Sequence, residues 1–147
     1  MLAYDPATNP LNNNEWSFPL AECFHIAAFA MAVGTISVID LRILGLGLVN
    51  QKPSQLLKDT YLWTMAGLII TISAGMIIFT TGPLFYYYSD AFRLKMATLV
   101  VAVIYNYTIH KKIAQSDNTG PLGKIVAVVS LLLWVTIVFC GLFYAFT

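Results

Sequence analysis

The sequence predicts an all-α integral membrane protein, a four-helix bundle running up-down-up-down with both termini on the outer side. Three observations carry that prediction. Of the 147 residues, 59% are hydrophobic and only 10% charged, a composition far from that of a soluble globular domain. The apolar residues gather into four stretches, at roughly 18–47, 60–80, 92–110 and 123–146. Each can cross a hydrocarbon layer ~30 Å thick at a rise of ~1.5 Å per helical residue. The connections between them, "NQKPSQLLKD", "TGPLFYYYSD" and "KKIAQSDNTGPLG", are short and rich in Pro, Gly or polar residues, so consecutive helices are expected to be antiparallel neighbours in one domain covering 1–147. Helix is the expected conformation because lipid offers backbone groups no hydrogen-bond partner.

The N-terminal segment "MLAYDPATNPLNNNEW" has no basic region and no small-residue cleavage site before a mature domain. It does not read as a cleavable signal, and the first helix is expected to be retained. That helix carries Glu22, Cys23 and His25 near one end and Asp40 and Arg42 near the other. The second helix has no charged residue between Tyr61 and Phe79, and the fourth has none between Ile125 and Thr147. Both read as walls. The third helix carries Arg93 and Lys95 at its start, Asn106 within it and His110 at its close.

Arg42, Lys52 and Lys58 surround the first connection and Lys111, Lys112 and Lys124 the third, whereas only Arg93 and Lys95 lie near the second. By the positive-inside rule both termini face outward, and the expected location is a bacterial inner membrane, crossed several times, with the termini in the periplasm of a Gram-negative cell. Trp16, the run Phe85 to Tyr88, and Phe143, Tyr144 and Phe146 would form an aromatic belt at the outer interface. The formal net charge is +1 with no basic block, so nucleic acid is not an expected partner. Membrane lipids are. The sequon "NYT" at Asn106 lies inside a span and is discarded.

Depth groups the polar residues into layers. His25 and Asp40 are fifteen residues apart, as are Lys95 and His110, a separation of roughly 22 Å along a helix. An outer layer of Glu22, His25 and Lys95 and an inner layer of Asp40, Arg42 and His110 follow. At ~100° per residue, Lys95, Asn106 and His110 share one face, expected to point into the bundle, while Arg93 turns toward the headgroups.

Each polar residue has a bland interpretation too. A histidine at a helix end beside Lys111 and Lys112 is best read as structural, so His110 is assigned with Asp40, Arg42 and Asn106 to a structural polar layer. His25 sits about two turns inside its helix, and intramembrane ionisable groups are functional candidates by default. The methionines read as core filler. Cys23 and Cys140 read as small buried hydrophobes rather than a disulfide. Copper(I) suits Cys23, His25 and Met chemically, but no paired motif supports it.

The phrases "FHIAAFAMAVGTISVIDLRILGLGL", "KPSQLL" and "FRLKMATLVVAVIYNYTIH" together resemble an uncharacterised bacterial family of short four-helix membrane proteins, a domain of unknown function. The resemblance runs from about residue 24 to 111 and falls on His25, Gly34, Asp40, Leu41, Arg42, Gly45, Arg93, Lys95, Met96, Asn106 and His110. It weakens in the fourth helix, where Leu142 follows Gly141 in place of an arginine. More distantly, the arrangement is similar to the copper-resistance D membrane proteins and the HemJ-type protoporphyrinogen oxidases. In the HemJ type an early histidine and a lysine opening the third helix are associated with haem b, and the resemblance carries that role to His25 and Lys95 alone.

The leading expectation is therefore a b-type haem protein passing electrons within the membrane or within a larger redox complex, with other membrane subunits or a redox partner as its partners and the porphyrin edge between helices one and three. His25 would be the ligand, Lys95 a second ligand or a propionate partner, and Glu22 an acceptor for the imidazole N–H or a partner for Lys95. His110 lies roughly 20 Å too deep to share that iron. The alternative is a non-catalytic subunit of a larger membrane complex, packing through small residues such as Gly67, Ala74 and Gly75. An enzyme of porphyrin or quinone chemistry ranks last.

Overall fold

The computed structural model describes residues 8–143, and all regular secondary structure among them is helical. Helix α1 spans Ser17–Leu44. It stops at Gly45, whose φ of 79° is open to glycine without strain. The Gly45 N–H bonds the Arg42 carbonyl at 3.1 Å and the Leu46 N–H the Leu41 carbonyl at 2.9 Å, a Schellman closure of the last turn.

Helix α2 spans Pro53–Phe79 and so begins about two turns before the expected position near residue 60. Proline is favoured at a first helical position because its φ is preset and its missing N–H would have had no partner there. The next N–H, of Ser54, is taken by Asp117 Oδ1 at 2.9 Å. "PSQLLKD" is thus the opening of the helix, with Leu56 buried and Lys58 and Asp59 exposed.

The second connection contains a short helix, α3 (Pro83–Tyr88), which the sequence reading treated as loop. Tyr86 of α3 packs against Phe79 and Phe92, with ring centroids at 5.9 and 5.4 Å. Helix α4 (Asp90–Tyr105) starts at Ser89, whose Oγ accepts from the Phe92 N–H. The third span then passes through a π turn, Asn106–His110, into α5 (Lys111–Gln115), five residues beyond its expected end. Helix α6 spans Pro121–Phe143. Tyr144 and Phe146 of the expected aromatic belt lie outside the described residues.

Four helical segments, Ser17–Leu44, Pro53–Phe79, Asp90–Gln115 and Pro121–Phe143, are long and apolar enough to cross a membrane. The most extensive packing joins α1 to α2, and α6 packs against both α1 and α4. At the far end α5 returns to α2. In lipid, helix association depends on close packing rather than on apolar burial from water, so small residues gather at contacts. Gly67 shows this directly. A Cβ there would sit 2.8 Å from the Ala28 carbonyl oxygen and 3.0 Å from Ala32 Cβ.

Gly67 and Gly75 therefore face α1, where Gly75 meets the His25 ring. They are not the outward docking face the sequence allowed. Where α2 ends, Asn9 Nδ2 donates to the Thr80 carbonyl at 2.8 Å and Asn12 Nδ2 to the Thr81 carbonyl at 3.1 Å. These bonds tie the N-terminal segment to the end of α2.

The core divides into two apolar clusters. One contains Ala32, Ile36, Leu68, Ala102, Trp134 and Ile137; the other contains Ile39, Ile43, Leu56, Ala114 and Ala127. Along the third span and α6, His110 and Ser130 fall between members of the two clusters, and on α1 Asp40 falls between Ile39 and Ile43 of the second.

Candidate functional site

The outer layer is built mainly on the α1–α2 pair. His25 is half-buried on α1, and its Nδ1 lies 2.8 Å from the Thr71 carbonyl oxygen of α2. A carbonyl only accepts, so Nδ1 carries a proton, and in the neutral ring Nε2 keeps its lone pair. The Thr71 hydroxyl returns a bond to the His25 carbonyl at 2.7 Å. Gly75 makes room for the ring, because a Cβ there would stand 3.0 Å from His25 Cε1.

Lys95, half-buried on α4, extends toward α6, where a Cβ on Gly141 would lie 3.5 Å from its Nζ. It is within electrostatic reach of His25, Glu22 and Cys140. The structure thus brings Glu22, His25 and Lys95 to one level and adds Cys140. It also changes the expected geometry: the imidazole leans on α2 and the lysine on α6, where the sequence placed a porphyrin edge between helices one and three. The physical reason is that α2 supplies both a backbone carbonyl with a second lone pair to accept a bond and a residue without a side chain.

Glu22 and Cys23 are exposed, and both cysteines are free thiols. Among the described residues no three His, Cys, Asp or Glu side chains converge as a metal-binding group.

The inner layer is buried and more tightly connected. Asp40 Oδ1 lies 2.7 Å from His110 Nε2, and Ser130 Oγ donates to Asp40 Oδ2 at 2.7 Å. Asp40 is 0% and His110 and Ser130 each 1% exposed. Arg42, expected beside them, does not join: its Nε donates to the Gln51 carbonyl just beyond the end of α1. Two helical residues, about 200° of turn, separate Arg42 from Asp40, so Asp40 falls on the buried face while Arg42 points away from it.

Lys111 instead lies over the Tyr61 ring, 5.6 Å from its centroid. Arg93 is an exposed residue paired loosely with Asp90 at 3.7 Å. Asn106 and His110, the two ends of the π turn, are both buried. Asn106 Oδ1 and His110 Nδ1 have no hydrogen-bond partner among the described residues.

Sequence reasoning missed Thr71 and Ser130 because it treated helices two and four as uncharged walls. A signal was present. Ser130 is an isolated hydroxyl in "VAVVSLLLW", and a hydroxyl among apolar residues at mid-span commonly bonds across helices. Thr35 and Thr64 form a similar link between α1 and α2 at 2.7 Å.

Residues 17–147 match the family described as a family of unknown function, DUF6644. The chain belongs to that family. No curated protein and no solved structure matches it. Membership covers both polar layers and all four spans, so the two sites are features of a DUF6644 chain. The family description assigns no activity to either.

Proposed function

We propose that this protein is an integral-membrane b-type haem protein, with His25 as an axial ligand, that transfers electrons within the bacterial inner membrane or to a membrane-bound redox partner. The observation that carries the proposal is the Thr71 clamp. Ligating histidines donate their other ring N–H to a carbonyl or carboxylate, which orients the ring and strengthens the donor nitrogen. His25 has that arrangement, with Nδ1–H held by Thr71 and Nε2 left as a donor.

The donor set suits haem as well. A neutral imidazole places no charge at membrane depth, and Lys95 offers an amine ligand or, when protonated, a partner for a propionate. Haem would supply one-electron chemistry. The chain's own contribution would be to hold the ligand in one tautomer and to set the surrounding charge through Lys95 and Glu22. Within this proposal, His25 and Lys95 are the pair to which the HemJ-type resemblance would carry haem b. The outward orientation of both termini belongs to this proposal, because it places His25 near the outer surface.

The test is the visible spectrum of protein purified in detergent from cells supplied with haem. A Soret band that sharpens on reduction, and that is lost in His25→Ala while the protein remains folded, is the expected result. A featureless spectrum from haem-replete cells would refute the proposal.

A further inference from the structure

We propose that the Asp40–His110–Ser130 cluster is a proton-binding site, loaded at His110 Nδ1 from the aqueous face beside the Gly45–Lys52 connection. It is separate from the haem proposal and stands without it. A cluster serving only to join helices would have its polar atoms saturated, since an unpartnered buried polar atom is costly. Here Asp40 is saturated, by His110 on one oxygen and Ser130 on the other. The remaining imidazole nitrogen is not, and neither is Asn106 Oδ1 four residues earlier.

Those two atoms belong to the residues that open and close a π turn. Such turns interrupt α-helices mostly as single insertions and frequently at functional sites. Asn106 also lines a cleft between α1, α2 and the third span, with Tyr61, Thr64, Tyr107 and Lys111 among its walls. Asn106 and Lys111, which line that cleft, lie at the start of the π turn and directly after it, so the cleft runs along the turn that His110 closes.

The proton inventory is simple. With Asp40 ionised and Nε2–H donating to it, the cluster carries one negative charge. A proton arriving from water adds to the Nδ1 lone pair and brings the net charge to zero; the proton between Nε2 and Oδ1 is retained. If that shared proton moves onto Asp40, the imidazole is neutral and Nδ1 still carries the added one. Nδ1 therefore reports loading in either arrangement.

The other ionisable groups around the cluster can be named. On α1, Arg42 is engaged by Gln51. On α2, Tyr61 faces the cleft while Lys58 and Asp59 are exposed. On the third span, Tyr105 is within electrostatic reach of Asp40, Tyr107 donates to Met65 Sδ, and Lys111 lies over Tyr61. On α6, Lys124 is exposed. His110 is the one imidazole in this layer, because the chain has only two histidines.

That count makes the experiment direct. The full chain, labelled with ¹⁵N-histidine and reconstituted in lipid vesicles, yields two imidazole signal sets, and His25→Phe assigns them. The expected result is that His110 Nδ1 passes from lone-pair to protonated character as the pH is lowered. Under a pH gradient, it should follow the pH on the side of the Gly45–Lys52 connection. Asn106→Leu should lose rapid exchange of the Nδ1 proton with water. An Nδ1 that keeps one protonation state wherever the protein is folded overturns the site, and this needs no variant at Asp40 or His110. Titration following the opposite side, or exchange undiminished in a folded Asn106→Leu, overturns the route and with it the proposal.

Discussion

Replacing Asp40 by leucine tests how much the buried polar layer contributes to the fold. The side chain is 0% exposed and accepts two bonds of 2.7 Å, from the Ser130 hydroxyl and at His110 Nε2. Asp40→Leu leaves both partners in an apolar surrounding with nothing to accept from them. A stranded buried donor costs about 1–3 kcal/mol, so the pair costs about 2–6 kcal/mol. Hydrogen bonds between membrane helices average only about 0.6 kcal/mol, because the unfolded chain in lipid also finds partners, which sets a floor of about 1.2 kcal/mol. The charge-assisted geometry and complete burial favour the upper regime, and a loss of about 3 kcal/mol is expected.

Asp40→Asn keeps one oxygen acceptor and should lose less. The triple variant Asp40→Leu, His110→Leu, Ser130→Ala strands nothing and should recover most of the loss, since buried ionic clusters can be replaced by apolar groups at little cost. Reversible unfolding in mixed micelles, followed by circular dichroism, measures all three. If Asp40→Leu proves as stable as the parent, or the triple variant less stable than Asp40→Leu, the assignment of Asp40 as the shared buried acceptor of His110 and Ser130 is wrong.

Lys95→Met should shift or weaken the haem spectrum, whereas Asp40→Asn and His110→Ala should leave it nearly intact, as absorption of the purified variants will show. Single cysteines at Asn13 and Asn118, in a background lacking Cys23 and Cys140, should label from opposite sides of the membrane; equal labelling from one side would contradict the topology. Gly123→Ala places a Cβ 2.0 Å from the Asn118 carbonyl oxygen, so the turn before α6 must move, at about 1–3 kcal/mol for an overpacked site; the unfolding midpoint reads this.

Asp117 lies outside the spans, and the Ser54 backbone N–H holds its carboxyl below the usual carboxylate range. Its folded value is depressed, so its contribution is present above the ordinary unfolded value and is lost as pH falls through the lower folded one. Asp117→Asn should therefore flatten the acid limb of the stability profile, and an unchanged limb would remove Asp117 from the account.

Much of the architecture was legible because lipid imposes one rule on the backbone. Every peptide group in the hydrocarbon layer must bond within its own segment, so four long apolar stretches imply four helices. Depth along a helix is equally legible, because ~1.5 Å per residue converts sequence separation into distance. That arithmetic set Glu22, His25 and Lys95 at one level and Asp40 and His110 at another. Element ends were less accessible. Pro53 opens α2 where the connection was expected to continue, and a helix forms at Pro83–Tyr88, because proline can start a helix as readily as it interrupts one.

What the tertiary structure alone decided is which helix each polar side chain faces. Sequence phase says that a residue points inward, but not whether α2, α4 or α6 stands opposite. His25 turned to Thr71 and Gly75 because α2 packs closest on α1, through Ala28, Ala32 and Gly67. Ser130 entered from a helix with no charge to announce it. The π turn was invisible for the same reason: "NYTIH" has no propensity that distinguishes it, and its effect appears only where Asn106 and His110 come to rest. Partner choice is a property of helix–helix packing, a sum of many small contacts across segments distant in the chain, and no local spacing encodes it.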